Sequence, residues 1–280
     1  MLSQNEITEF KRYATKIRIE TVRQIGMRGV GHIGGTMSIA ELMAVLYGKV
    51  LNIDPKTPDW KGRDYLVTSK GHAGPAVYAA LAMKGYFPKD WLDTLNKDGT
   101  NLPSHTDRLK TPGIDMTTGS LGQGGSQAAG IALALQLDGM QNYVYTVLGD
   151  GECTEGQVWE MALFASQFKL RHLIAFVDYN KQMLDGFTKD QCNIGDVAKK
   201  FQDFGWYAQE IDGHDVEAIY NAIENAKQQE AGPSMIVLNT VKGKGVDWAE
   251  GKLGNHNMQV TKEQMNETIA KLKQLLSTIQ

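Results

Sequence analysis

The chain has little of what marks secreted, membrane or nucleic-acid-binding proteins. Its 280 residues include two cysteines, Cys153 and Cys192, too few for a disulfide framework and in keeping with a reducing compartment. No apolar run is long enough to span a bilayer, and residues 1–12 are polar and mixed in charge, unlike a signal peptide. Basic and acidic residues number 29 and 32, with no long run of either sign, so nothing suggests a surface for nucleic acid or an anionic membrane. Internal repeats, low-complexity tracts and Pro/Ser linkers are missing too. The expectation is a cytoplasmic protein with no nucleic-acid or membrane partner. A chain of this length can bury a full core as one α/β domain over residues 1–280.

What is present is an alternation of amphipathic helical pattern and short apolar runs. It predicts a three-layer α/β/α fold with a mostly parallel sheet. A short strand is expected at 64–68, and the clearest strands at 143–148, 173–177 and 235–240. Helices are expected at 2–27 (broken by Gly26 and Gly29), 38–47, 76–84 and 121–137, with an amphipathic tail helix at 261–279.

The most informative stretch begins at Gly149-Asp150-Gly151-Glu152. It runs through Glu155-Gly156-Gln157-Val158-Trp159-Glu160 to Val177-Asp178-Tyr179-Asn180. Two strand ends joined by one crossover helix place an Asp and an Asn side by side at the carboxyl edge of a parallel sheet, where such sheets bind ligands. An Asp carboxylate with an Asn carbonyl suits Mg²⁺, which takes one or two carboxylates and leaves the rest of its shell to phosphates. The glycines admit backbone amides to those phosphates. Gly-Asp-Gly alone fits any tight βαβ turn. The spacing to Asn180 is what makes the pattern specific.

Three histidines lie in short glycine-containing or polar loops: Gly31-His32-Ile33-Gly34-Gly35, Ser69-Lys70-Gly71-His72-Ala73 and Ser104-His105-Thr106. A lone histidine beside glycine is more often structural than catalytic. Three such loops in a chain that also has a metal-diphosphate turn point to one site. Thr117-Thr118-Gly119-Ser120-Leu121-Gly122-Gln123-Gly124 reads as a glycine loop opening a helix. Either phosphate binding or close packing explains it. Thr240-Val241-Lys242-Gly243-Lys244-Gly245 sets two lysines among glycines, suited to steering phosphate or simply to a solvated loop. Glu155 and Glu160 suit a helix N-terminus in any case, and His172 and His214 match no motif.

From about residue 20 to about residue 245, these motifs resemble the transketolase family. The resemblance implies a thiamine-diphosphate-binding fold of the diphosphate (PP) type. Asp150, Asn180 and the Gln182 backbone carbonyl would ligate Mg²⁺, or Ca²⁺ or Mn²⁺. His72, Gly119, Leu121, Gly149, Gly151, Glu155, Lys244 and His256 would complete the cofactor's surroundings, Glu155 as an acidic link at a subunit interface. His32, His72, His105 and His256 would bind the ketose hydroxyls and move protons. Where the family shows His-Gly, this chain has His256-Asn257. The family's activating glutamate belongs to a second, pyrimidine-binding domain. The resemblance therefore implies a split transketolase, active only when joined by a C-terminal partner subunit, in a heterotetramer. It would move a two-carbon ketol unit from a ketose phosphate to an aldose phosphate. Three alternatives stay open: a split enzyme for a sulfo- or branched sugar, a deoxyxylulose-phosphate-synthase-like enzyme, and a non-catalytic cofactor-binding subunit.

Overall fold

Buried apolar runs build one parallel sheet, and the chain crosses it repeatedly through helices. In the computed structural model, which describes residues 1–279, α1 (Gln4–Arg28) leads through a two-residue strand, β1 (Val30–Gly31), to α2 (Gly34–Met37), α3 (Ala40–Val45) and a π-helical turn at Leu46–Val50. Next come β2 (Tyr65–Thr68), α4 (Gly74–Lys84), α5 (Gln123–Leu137), β3 (Val144–Gly149), α6 (Gly156–Gln167) and β4 (Leu173–Tyr179). The remainder holds α7 (Thr188–Gln191), α8 (Val197–Asp203), β5 (Tyr207–Asp212), α9 (Val216–Lys227), β6 (Ser234–Asn239), β7 (Met258–Gln259) and α10 (Lys262–Thr278).

Five strands pair in parallel in the order β2-β3-β4-β6-β5, so this sheet is wholly rather than mostly parallel. Along β4, Ile174 and Phe176 join a core shared with α1, α3, α4 and α9, while Leu173, Ala175 and Val177 join a second core with α5, α6 and α8. Both faces are covered, which is why these strands read as continuous apolar runs. The architecture is three-layered α/β/α. Among the described residues, no helix is long and apolar enough to cross a membrane.

Some elements depart from expectation. α1 does not break at Gly26. It begins at a Ser3–Glu6 capping box and stops where Gly29 turns left-handed at φ 85°. Gly26 serves packing instead, since a Cβ there would stand 2.5 Å from the Met265 side chain of α10. The helix expected at 38–47 is divided into α3 and the π-helical turn, preceded by α2. β5 went unforeseen because its sequence, YAQEID, is polar and half exposed at the sheet edge. The pair β1–β7, antiparallel and outside the main sheet, is too short to leave a pattern.

Candidate active site

Because all five main strands run the same way, their carboxyl ends share one edge. There Gly149 of β3 lies in register with Asp178 of β4, and β6 delivers Thr240 through Lys242 beside them. A cleft of about 710 Å³, open to solvent, lies over this edge. Asp150 and Asn180 both line it, and both are nearly buried. Asp150 accepts the backbone N–H of Gly151 at 2.8 Å and that of Lys181. Burial, reinforced by the nearby Asp178 charge, pushes the Asp150 carboxyl up to about 7. Glu152, also buried, accepts the N–H groups of Gly122 at 2.8 Å and Gly149 at 3.0 Å, together with the Ser69 hydroxyl. It ties the glycine loop before α5 to the end of β3.

Two buried lysines face this floor. Lys70 pairs with Asp178 at 2.5 Å and donates to Gly35 O at 2.6 Å. Burial opposes the charge on Asp178, yet the Lys70 ammonium and the hydroxyls of Thr240 and Ser38 hold it below the usual carboxylate range. Lys242 donates to the carbonyls of Met183 at 2.9 Å and Gln182 at 3.3 Å. Burial lowers it to about 8, against the pull of Asp150.

The four candidate histidines meet above the floor. His32 lies 5.4 Å from His72, 5.4 Å from His105 and 5.3 Å from His256, ring centre to ring centre, and His72 lies 4.8 Å from His256. The small β1–β7 sheet brings two of them together. Gly31 pairs with Met258, so His32 and His256 follow and precede adjacent strands, and Gly34 N–H clips to Asn255 O at 2.9 Å. Gly119, at φ 143°, lets the glycine loop press on His105, where a Cβ would come within 3.1 Å of the ring. Burial lowers all four imidazoles. His32 goes to about 4 with help from His105 and Lys242, and His256 to about 4 with help from Lys242 and His32. They are neutral at neutral pH, each able to donate at one ring nitrogen and accept at the other.

Residues 10–275 match the family described as "Transketolase, thiamine diphosphate binding domain". The chain belongs to the transketolase family. It is 53% identical to the 6-deoxy-6-sulfo-D-fructose transketolase subunit SqwG of Clostridium sp. (strain MSTE9), across 97% of this chain and 98% of that one. It is 38% identical to one of the subunits of the apulose-4-phosphate transketolase of Actinobacillus succinogenes, across 87% and 88%. The solved transketolase of Leishmania mexicana superposes with a TM-score of 0.88 at 31% identity, covering 94% of this chain and 41% of that one. The chain thus spans under half the length of that transketolase.

Within this transketolase-family fold, Leu121, Gly149, Gly151 and Glu155 line the cleft with Asp150, Asn180, Gln182, His72 and His256. Glu155 stands exposed at its rim. Lys244 is not brought there. It pairs with Glu250 at 3.0 Å, and of the two lysines in that run the one that enters the cleft is Lys242, two positions earlier. The Thr-Val-Lys-Gly-Lys-Gly run does not say which lysine turns inward. Lys70, Glu152 and Asp178 also carry the site, although none was singled out from sequence. His214 is bound to Glu41 at 3.0 Å and accepts from Val241 N–H, away from the cluster.

Proposed function

We propose that this chain is the diphosphate- and cation-binding subunit of a two-component transketolase. The observation that carries the reading is the cluster of four imidazoles, two of which, His72 and His256, line the cleft that also holds Asp150, Asn180 and Lys242. The donor chemistry supports a hard cation. Asp150 is a buried carboxylate whose hydrogen bonds come from backbone N–H groups, and Asn180 adds a buried amide oxygen. With the Gln182 carbonyl these form an all-oxygen set suited to Mg²⁺, Ca²⁺ or Mn²⁺. Among the described residues, no group of three or more His, Cys, Asp or Glu side chains is placed to hold a metal. The cation therefore depends on the cofactor's phosphates for the rest of its shell.

Thiamine diphosphate, when bound, supplies the electron sink that lets a carbon–carbon bond beside a carbonyl break and re-form. Lys242 neutralises diphosphate charge from the cleft wall. His32, His72, His105 and His256 hold the sugar hydroxyls, each neutral ring donating a hydrogen bond at one nitrogen and accepting one at the other as charge shifts on the sugar oxygens. Gly119 and Leu121 pack against the cofactor. A C-terminal subunit contributes the pyrimidine-binding domain and its glutamate, and the two chains assemble as a heterotetramer in the cytoplasm.

A ketose phosphate is the expected donor and an aldose phosphate the expected acceptor. The 53% likeness to the sulfofructose transketolase subunit supports a second reading, in which the donor carries a sulfonate. Mixing the chain with its partner, thiamine diphosphate and Mg²⁺, and assaying fructose 6-phosphate against 6-deoxy-6-sulfofructose, separates these. No turnover is expected from this chain alone. Robust turnover without the partner would overturn the two-component reading.

A further inference from the structure

We propose that Asp178 and Lys70 are positioning residues that decide which atom of the Asn180 amide faces the cation. The inference rests on the cation reading of Asp150 and Asn180 given above. Asp178 is fully buried near the end of β4. Its carboxylate meets four donors from four separate segments: Lys70 Nζ at 2.5 Å, Ser38 Oγ at 2.7 Å, Asn180 Nδ2 at 2.8 Å and the Thr240 hydroxyl. Three of these donors crowd Oδ2, so the oxygen that faces Asn180 has no lone pair left for a metal.

An ionised carboxylate accepts and never donates. Asn180 therefore meets Asp178 through its NH₂, which directs the amide oxygen away from Asp178. There Oδ1 receives the Gln182 N–H at a long 3.2 Å, and it retains acceptor capacity. The two ends of a carboxamide are nearly alike in shape, so packing alone does not choose between them. The charge on Asp178 does. Lys70, 1% exposed, sustains that charge and anchors it to Gly35 O. A buried ion pair is often matched or exceeded in stability by apolar residues of similar volume. The role of this pair therefore lies in the orientation it imposes.

The test is Mn²⁺ binding to the full chain in the presence of thiamine diphosphate, with free Mn²⁺ read by electron paramagnetic resonance. The double variant Lys70→Met/Asp178→Leu removes both charges together, since either single apolar replacement strands the other. Its Mn²⁺ affinity is expected to fall about 10- to 100-fold, as for other groups that orient a metal ligand, with the fold retained by circular dichroism. Adding Asn180→Asp supplies a side chain with oxygen at both ends and should recover most of the loss. Asp178→Asn, measured in parallel, keeps the shape but sets an NH₂ against groups that donate to Asp178. The same loss and the same recovery are expected of it, so the test survives if the double variant does not fold. Unchanged affinity in a folded variant, or a loss that Asn180→Asp does not recover, overturns the positioning role. Asp150→Ala separates the two layers. If it leaves Mn²⁺ binding intact, or if the wild-type chain binds none, the cation reading itself fails.

Discussion

At Gly124 the first turn of α5 passes so close to the Ser69 turn that a Cβ would stand 2.6 Å from the Ser69 Cα. Backbone cannot swing aside as the tip of a long side chain can. Gly124→Ala should therefore push α5 away from the turn that carries Lys70 and His72, and overpacking of this kind costs about 1–3 kcal/mol. Urea unfolding of the variant beside wild type measures it, and coincident curves would refute the clash. Single residues also mark the limit of what could be read in advance. Asp150, Asn180 and the three loop histidines were legible because their chemistry comes with a recognisable spacing. Lys70, Glu152 and Asp178 were not. A charged residue in a sequence signals solvent by default, and only the fold reveals that these are buried and paired.

At the scale of elements, legibility follows burial. β2, β3, β4 and β6 are covered on both faces and announce themselves as apolar runs, whereas β5, at the edge, has its apolar residues diluted by Gln209 and Glu210. The β1–β7 pair was invisible for want of length, yet it sets two of the four histidines. α10 was legible from its periodicity, and the structure adds what holds it. Thr261 caps it through a reciprocal pair of bonds with Gln264, at 3.1 and 2.9 Å, and Met265 and Leu272 are buried. Met265→Ala should destabilise the protein by about 2–5 kcal/mol, and Thr261→Ala by about 1 kcal/mol. Thermal unfolding of the two variants orders them, and a Thr261→Ala effect equal to or larger than that of Met265→Ala would contradict the packing described for α10.

For the molecule as a whole, the histidine cluster ties stability to pH. His32 and His256 are pushed down from 6.5 to about 4, so above 6.5 they are neutral whether the chain is folded or not and contribute nothing. As pH falls from 6.5 towards 4, the unfolded chain takes up protons that the folded chain resists, and stability drops. Lys242, Lys70 and His105 face the pair and steepen the effect. Melting temperatures measured from neutral pH down to about 4 should decline less for a His32→Gln/His256→Gln variant than for wild type. Parallel declines would mean that these imidazoles titrate normally.

The Asp178 carboxylate joins partners separated from it by 140, 108 and 62 residues along the chain. Contacts of such long range are costly in loop entropy and form slowly, so the floor of the cleft stands complete only when nearly the whole chain has found its place. A ligand that needs that floor has nothing to hold in a half-folded chain. It selects the finished protein by mass action, and cofactor supply then becomes a lever on how much of this protein survives proteolysis.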